Sequence, residues 1–183
     1  MSVRSLLLAV AILSAARAHA DAVRYRCNGP ATGPVRVITD DTHVCRGFTI
    51  NKKQTLFSRL ASGTLLTSRD GKTVVLIEDY LSGSVDTKRK IVETDIDSEV
   101  IENPTVLQIW HDGHRVAFFD IARLTKDVTK LEQSISHVRW VAELPSTVDG
   151  AQFTLVTTSG RKITFDAKKG TIVDETDVPT KRP

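Results

Sequence analysis

The chain has 183 residues, of which 40% are hydrophobic and 26% charged, and its formal net charge is +3 at pH 7. This length suits one domain with a substantial core. The small net charge excludes a protein that attracts nucleic acid through an overall basic surface, so we predict no nucleic-acid partner.

The first twenty residues have the layout of a secretory signal peptide. Arg4 precedes an uncharged apolar run at residues 6–13, and Ala18-His19-Ala20 forms a small-x-small cleavage site before Asp21. We expect cleavage after Ala20 and a secreted or periplasmic protein. The apolar run is too short for a membrane span, and no later segment is apolar over about 18 residues, so we predict no transmembrane segment after cleavage.

Both cysteines, Cys27 and Cys45, lie beyond the predicted cleavage site. An even number of cysteines in an exported protein favours a disulfide, which would stabilise the fold by about 3 kcal/mol through loop closure. A two-thiol metal site or a redox pair is the alternative, although the chain has no C-x-x-C motif.

Alternating apolar and polar residues between turn signals predict strands along most of the chain. We expect short strands within residues 22–27, 35–38 and 43–48, and either a helical turn or a strand within residues 56–66. Asp70-Gly71 predicts a hairpin turn leading into a central strand at residues 73–77. Residues 106–111 and 114–119 flank Asp112-Gly113, which is the strongest hairpin signal in the chain.

The C-terminal third predicts a four-segment meander within residues 138–173, with Val138, Trp140, Ala142 and Leu144 on one face. Residues 82–103 are charged and predict a long exposed loop, with a strand or helical turn around Ile91. Residues 124–136 predict one short helix. The domain should span residues 21–173, followed by a disordered tail at residues 174–183. We expect most of the following side chains to be buried: Phe118, Trp140, Phe153, Leu155 and Phe165.

These elements predict a mostly β fold, either an antiparallel sandwich or a bent β-meander with one short helix. The alternative is a small or incomplete β-propeller. Residues 165–170, Phe-Asp-Ala-Lys-Lys-Gly, resemble the turn of quinoprotein-type propeller repeats, and residues 66–74 are similar to the Ser-x-Asp-Gly turn of periplasmic propellers. The meander within residues 138–173 looks like one blade of such a propeller, and no cofactor is carried over from this resemblance.

Two groups of residues are candidates for a site. His111, Asp112 and His114 lie at the hairpin tip, where cross-strand pairing would put both imidazoles on one face and allow zinc or copper binding, unless the tip is simply solvated. Trp110 and Trp140 are candidates for lining a ligand groove, the alternative being core packing.

An acidic cluster, formed by Glu93, Asp95, Asp97, Glu99 and Glu102, could attract calcium, but it does not match an EF-hand and predicts a solvated loop instead. The chain contains no Gly-x-Ser-x-Gly elbow and no phosphate loop, and we predict no cofactor. We therefore predict an exported, non-catalytic binding or cell-envelope accessory protein whose partner is an envelope or extracellular protein. The alternatives are a small secreted hydrolase or hydrolase inhibitor, and a metal-binding protein that uses the His111/His114 tip.

The leader and the cysteine pair can be tested together on exported protein. Intact-mass measurement should give a chain that begins at Asp21 and is lighter than its dithiol form by two hydrogen atoms. A retained leader, or two thiols that alkylate without reductant, would show that this interpretation is wrong.

Overall fold

A computed structural model describes residues 35–39, 45–50, 53–56, 63–96, 99–145, 148 and 151–179. Its strands form four separate sheets, and each strand pairs antiparallel with its neighbours. This confirms the predicted mostly β, antiparallel fold with one short helical turn, and no propeller is found in the part of the chain that is described. The strand predicted at residues 22–27 lies outside that part.

Two of the sheets form the N-terminal half. The N-terminal sheet contains β1 (Val35–Thr39), β2 (Cys45–Ile50) and β3 (Lys53–Leu56) in that order. The hairpin sheet has the order β10-β9-β5-β4, built from β4 (Thr64–Thr67), β5 (Thr73–Ile77), β9 (Thr105–His111) and β10 (His114–Asp120). All five residues of β5 are buried between β4 and β9, which confirms the predicted central strand.

The other two sheets hold the remaining strands. The five-stranded sheet has the order β11-β12-β6-β7-β8, from β6 (Tyr80–Asp86), β7 (Ile91–Ile96), β8 (Glu99–Glu102), β11 (Glu132–Gln133) and β12 (His137–Arg139). The C-terminal sheet is a meander of β13 (Val141–Glu143), β14 (Gln152–Thr157), β15 (Arg161–Asp166) and β16 (Thr171–Asp177). The predicted C-terminal meander is therefore present.

Buried apolar side chains form two clusters on opposite faces of the hairpin sheet. The larger cluster joins that sheet to the five-stranded and C-terminal sheets, and it contains Trp140 and Phe165. The smaller cluster joins the hairpin sheet to the N-terminal sheet through Val35, Phe48 and Ile50 on one side and Leu65, Val74 and the partly buried Trp110 on the other. The hairpin sheet is thus the middle layer of the described fold.

Residues 82–103 are not the predicted loop, because they contain most of β6 and all of β7 and β8. The prediction was wrong because charged residues were taken as the sign of a loop, whereas an antiparallel sheet needs only one apolar face and can present charged residues to solvent on the other. Val92 and Thr94 supply the buried face of β7. Asp86 accepts hydrogen bonds from the backbone N–H groups of Lys88 and Arg89, which stabilises the intervening turn.

The helix predicted at residues 124–136 is also wrong. The helical turn α1 (Ile121–Leu124) begins earlier, because the Asp120 side chain accepts a hydrogen bond from the Arg123 N–H, and it ends at Thr125. A separate 3-10 turn, Val128–Lys130, follows with Asp127 as its cap. Ile135, which the helical spacing placed on the buried face, is 97% exposed.

Residues 138–144 change sheet instead of forming one strand. β12 ends at Arg139 and β13 starts at Val141, with Trp140 buried between them. Val138 and Trp140 are buried as expected, but Ala142 and Leu144 are exposed. The C-terminal prediction also needs correction, because β16 continues to Asp177 rather than losing regular structure at Asp174.

Four of the five expected core side chains are buried, and Phe118 is the exception at 61% exposure. Phe153 stacks on Phe165 with ring centres 4.8 Å apart and an angle of 9°, and Phe119 contacts Phe165 edge-on at 5.3 Å. This aromatic contact attaches β10 to the C-terminal sheet.

Two phenylalanines offer a matched test of this core. Replacing Phe153 by Ala should lower the free energy of unfolding by about 3–5 kcal/mol, because the ring leaves a buried cavity. The same change at exposed Phe118 should cost under about 1 kcal/mol. Urea denaturation measures both values, and equal losses at the two positions would contradict the burial described.

Candidate functional site

The β9–β10 hairpin carries the predicted tip residues. Asp112 and Gly113 form its two-residue turn with φ angles of 47° and 79°, the left-handed values that such a tight hairpin turn requires. His111 and His114 are direct cross-strand partners, as predicted. The turn is held against the next hairpin, because the Asp112 N–H donates to the Lys72 carbonyl oxygen at 2.9 Å.

The two histidines have different surroundings. His111 is about one-fifth exposed, with Nδ1 2.9 Å from Thr73 Oγ1 and Nε2 3.5 Å from Asp112 Oδ2, whereas His114 is exposed. Within the described residues, no group of three or more His, Cys, Asp or Glu side chains could hold a metal ion. Because Thr73 is buried, its contact with His111 orients the imidazole and offers no accessible hydroxyl nucleophile.

The two predicted tryptophans are not brought together in a groove. Trp140 is fully buried and its Nε1–H donates to the Glu78 carbonyl oxygen, so Trp140 belongs to the core and cannot line a surface site. Trp110 is only partly buried. Its ring packs edge-on against Phe48, with centres 5.5 Å apart and an angle of 81°.

A bulge at Val116 decides which side chains of β10 share a face. Arg115 lies opposite Trp110 and Phe118 lies opposite Gln108, whereas Val116 is skipped in the pairing. Opposed residues point to the same face, and so do alternate residues of one strand. Arg115 and Phe118 therefore share the face of Trp110, although a spacing of three would separate them in a regular strand.

Arg115 connects the two aromatic rings on this face. Its guanidinium carbon lies 5.9 Å from the centre of the Trp110 ring and 5.3 Å from the centre of the Phe118 ring. Both distances are within the range of a cation–π contact. We call Trp110, Arg115 and Phe118 the aromatic–arginine patch; it presents an exposed apolar ring beside a positive charge.

The N-terminal sheet covers only one side of this patch. Trp110 packs with the cluster that contains Phe48, whereas Phe118 belongs to neither core cluster. The Trp110 Nε1–H is buried and has no hydrogen-bond partner among the described residues. Leaving such a donor unpaired costs about 1–3 kcal/mol, so this position is less well satisfied than the rest of the core.

Sequence reasoning had named Trp110 but missed the role of Arg115 and Phe118. The apolar run that contains Phe118 predicts a buried core residue. The bulge that turns the Phe118 side chain to the other face of the sheet leaves no distinct signal in the sequence. The position of Arg115 directly across the Asp-Gly turn from Trp110 was the one usable signal, because a two-residue hairpin fixes that pairing.

The β15–β16 turn reaches the same end of the hairpin sheet. Gly170 has a φ of 68°, and a Cβ atom there would lie 2.6 Å from Ala117 Cβ and 2.9 Å from the Val116 carbonyl oxygen. The adjacent Lys168 lies close enough to the β4–β5 turn to contribute to the lowered pKa of Asp70, whose main cause is a hydrogen bond from Ser68. Three hairpin turns therefore lie together at this end of the hairpin sheet, and the β15–β16 turn lies on the Ala117 face, opposite the face that carries the patch.

A second unusual position is the joint between β5 and β6. The Glu78 N–H donates to the Val106 carbonyl oxygen, and the Glu78 and Asp79 carbonyl oxygens accept from the side chain and backbone N–H of Trp140. Burial raises the pKa of Glu78 to about 7. Burial also raises the pKa of Asp79, although the charge of Arg139 opposes the shift.

The acidic cluster is partly neutralised by Arg89. This side chain donates to Glu93 Oε1 at 2.8 Å and also pairs with Glu102. Asp97 and the side chain of Asp95 lie outside the described residues, and Glu99 is exposed. Because Arg89 pairs with both Glu93 and Glu102, these two carboxylates fit the predicted solvated surface better than a calcium site.

A polar cleft of about 430 Å³ lies beside α1 and the end of β16, lined by Thr125, Lys126, Arg161, Glu175, Thr176 and Asp177. Its charges are paired with one another. Glu175 contacts Arg123 at 2.9 Å and also Arg161, while Lys126 contacts Asp177 at 2.6 Å. Burial raises the pKa of Glu175, but the two arginine hydrogen bonds outweigh it and the net pKa is lowered.

Two further predictions concern regions that the structure covers only in part. Cys27 lies outside the described residues and only the backbone of Cys45 is described, so the disulfide stays a prediction. No helix within the described ranges is long and apolar enough to cross a membrane.

Comparisons with known proteins found no matching family model, no matching curated protein and no matching solved structure.

Glu78 predicts a specific pH dependence of stability. Its folded-state pKa lies above the ordinary value of 4.5, so the unfolded chain releases this proton first and the folded state loses stability as pH rises from about 4.5 to 7. Glu78→Gln should therefore stabilise the protein by about 1–3 kcal/mol at pH 8 and by little at pH 4.5. Urea denaturation at both pH values measures this difference.

Glu143→Gln is the matched control for Glu78→Gln, because Glu143 is exposed on β13. The control should leave the pH profile unchanged. A Glu78→Gln profile parallel to that of the unmodified protein would refute the assignment of a buried, proton-binding carboxyl at this joint.

Proposed function

We propose that this protein is an exported, non-catalytic binding protein that holds an envelope or extracellular partner through the aromatic–arginine patch. The observation that supports the proposal is the exposed ring of Phe118, which is held against Arg115 on the same face as Trp110. Tryptophan and arginine are enriched among the residues that dominate binding energy in protein interfaces. Export rests on the leader pattern at residues 1–20.

The arrangement favours binding because the patch is largely preorganised. Cross-strand pairing fixes Trp110 opposite Arg115, and packing on Phe48 restrains the indole. A restrained side chain loses less conformational entropy on binding than a free one. The predicted disulfide between Cys27 and Cys45 is part of the proposal, since it would stabilise the N-terminal region of an exported chain.

The proposal can be tested without a known partner by selecting peptides from a phage-displayed random library on the immobilised protein. Synthetic copies of the enriched peptides should bind the unmodified protein, and Phe118→Ser or Arg115→Ala should weaken binding about tenfold, which corresponds to about 1.4 kcal/mol. Calorimetric titration measures the affinities.

Val100→Ser is the matched control, because Val100 is 67% exposed on β8, outside the patch. It should leave the affinities unchanged. The proposal fails if no peptide is enriched, or if the enriched peptides bind the Phe118→Ser and Arg115→Ala variants as tightly as the unmodified protein.

A further inference from the structure

The three hairpin turns at this end of the hairpin sheet carry an excess of positive charge. The β4–β5 turn contributes Arg69 and Lys72, the β9–β10 hairpin contributes Arg115, and the β15–β16 turn contributes Lys168 and Lys169; all five side chains are exposed. The acidic residues of the same turns are Asp70, Asp112 and Asp166. The five basic residues outnumber the three acidic ones although they come from three separate hairpins.

The acidic residues of these turns are engaged within the turns themselves. Asp70 Oδ1 accepts from Ser68 Oγ at 2.5 Å and from the Lys72 N–H at 3.1 Å. Asp166 accepts from the backbone N–H groups of Lys168 and Lys169, both at 3.0 Å. The ammonium of Lys169 also lies 3.8 Å from Asp166 Oδ2, but the three turns together keep more basic than acidic residues, so the surface potential at this end should be positive.

We propose that the partner of the aromatic–arginine patch is an acidic, extended protein segment that places an apolar side chain on Phe118 and carboxylates against Arg115 and the basic β4–β5 turn. This inference rests on the proposed function. Charge complementarity of this kind accelerates association and fixes orientation more than it adds affinity. A segment bound through side chains is favoured over one that adds a strand to β10, because the β15–β16 turn lies against Val116 and Ala117 in the middle of that strand.

The test uses two fluorescent peptides with the same Leu-Phe-Leu centre, one flanked by aspartates and one by lysines. Fluorescence anisotropy should show that the acidic peptide binds at least about tenfold more tightly, and that this preference shrinks as salt rises from about 50 to 200 mM. The double change Arg69→Glu with Lys72→Glu, on the exposed β4–β5 turn, should remove the preference.

The matched control is Lys88→Glu with Lys162→Glu. Both lysines are exposed and lie away from the three turns, and this pair alters the net charge by the same amount. It should preserve the preference for the acidic peptide. If the control abolishes the preference equally, net charge rather than this surface sets the specificity and the inference is wrong.

The remaining outcomes separate the inference from the proposed function. Equal binding of both peptides, with loss in Phe118→Ser, would overturn the acidic-partner inference and leave the patch as the binding site. Binding of neither peptide, or binding that ignores Phe118→Ser, would overturn both. A single-stranded oligonucleotide serves as a third probe, and tighter binding of it than of the acidic peptide would replace a protein partner with a nucleic acid.

Discussion

The fold depends on the hydrogen bonds around Trp140. Its indole N–H donates to the Glu78 carbonyl oxygen, and its backbone N–H donates to the Asp79 carbonyl oxygen. The carbonyl oxygen of Trp140 accepts from the backbone N–H of Thr158. These bonds join the end of the hairpin sheet, the start of the five-stranded sheet and the C-terminal sheet at one fully buried residue. Since a buried backbone group without a partner is costly, the chain can change sheets here only because each group is paired. The same joint partly buries Glu78, which raises the pKa of its carboxyl.

This joint also determines which part of the hairpin sheet the other sheets leave uncovered. It draws the five-stranded and C-terminal sheets onto the inner face of the hairpin sheet, where Phe119 and Ala117 pack against the larger core cluster. The N-terminal sheet covers the outer face as far as Trp110. The bulge at Val116 then places Arg115 and Phe118 on that outer face, beyond this cover. The exposed ring is thus a consequence of local backbone geometry on a strand that is otherwise anchored by packing.

Sequence patterns predicted the features that depend on local signals. Asp112-Gly113 predicted the hairpin and its cross-strand pairing because a tight turn determines register, and the apolar run at residues 73–77 predicted a buried central strand. Features that depend on contacts between distant residues could not be predicted from the sequence. The charged strands β7 and β8 resemble a loop until β6 supplies a partner, and the bulge that exposes Phe118 has no sequence signature. Within the candidate site, Trp110 was predicted and its pairing with Arg115 follows from the turn, whereas the exposure of Phe118 depends on the observed bulge.

The two tryptophans allow the most direct measurement of where a partner binds, because Trp110 lies in the patch and Trp140 lies in the joint. The chain has no other tryptophan. Their indole N–H signals can be followed in proton–nitrogen correlation spectra while the acidic Leu-Phe-Leu peptide is added. The expected result is that the Trp110 signal shifts with peptide concentration while the signal of Trp140, whose indole is buried and bonded to Glu78, stays in place. A Trp140 signal that shifts while that of Trp110 does not would contradict it.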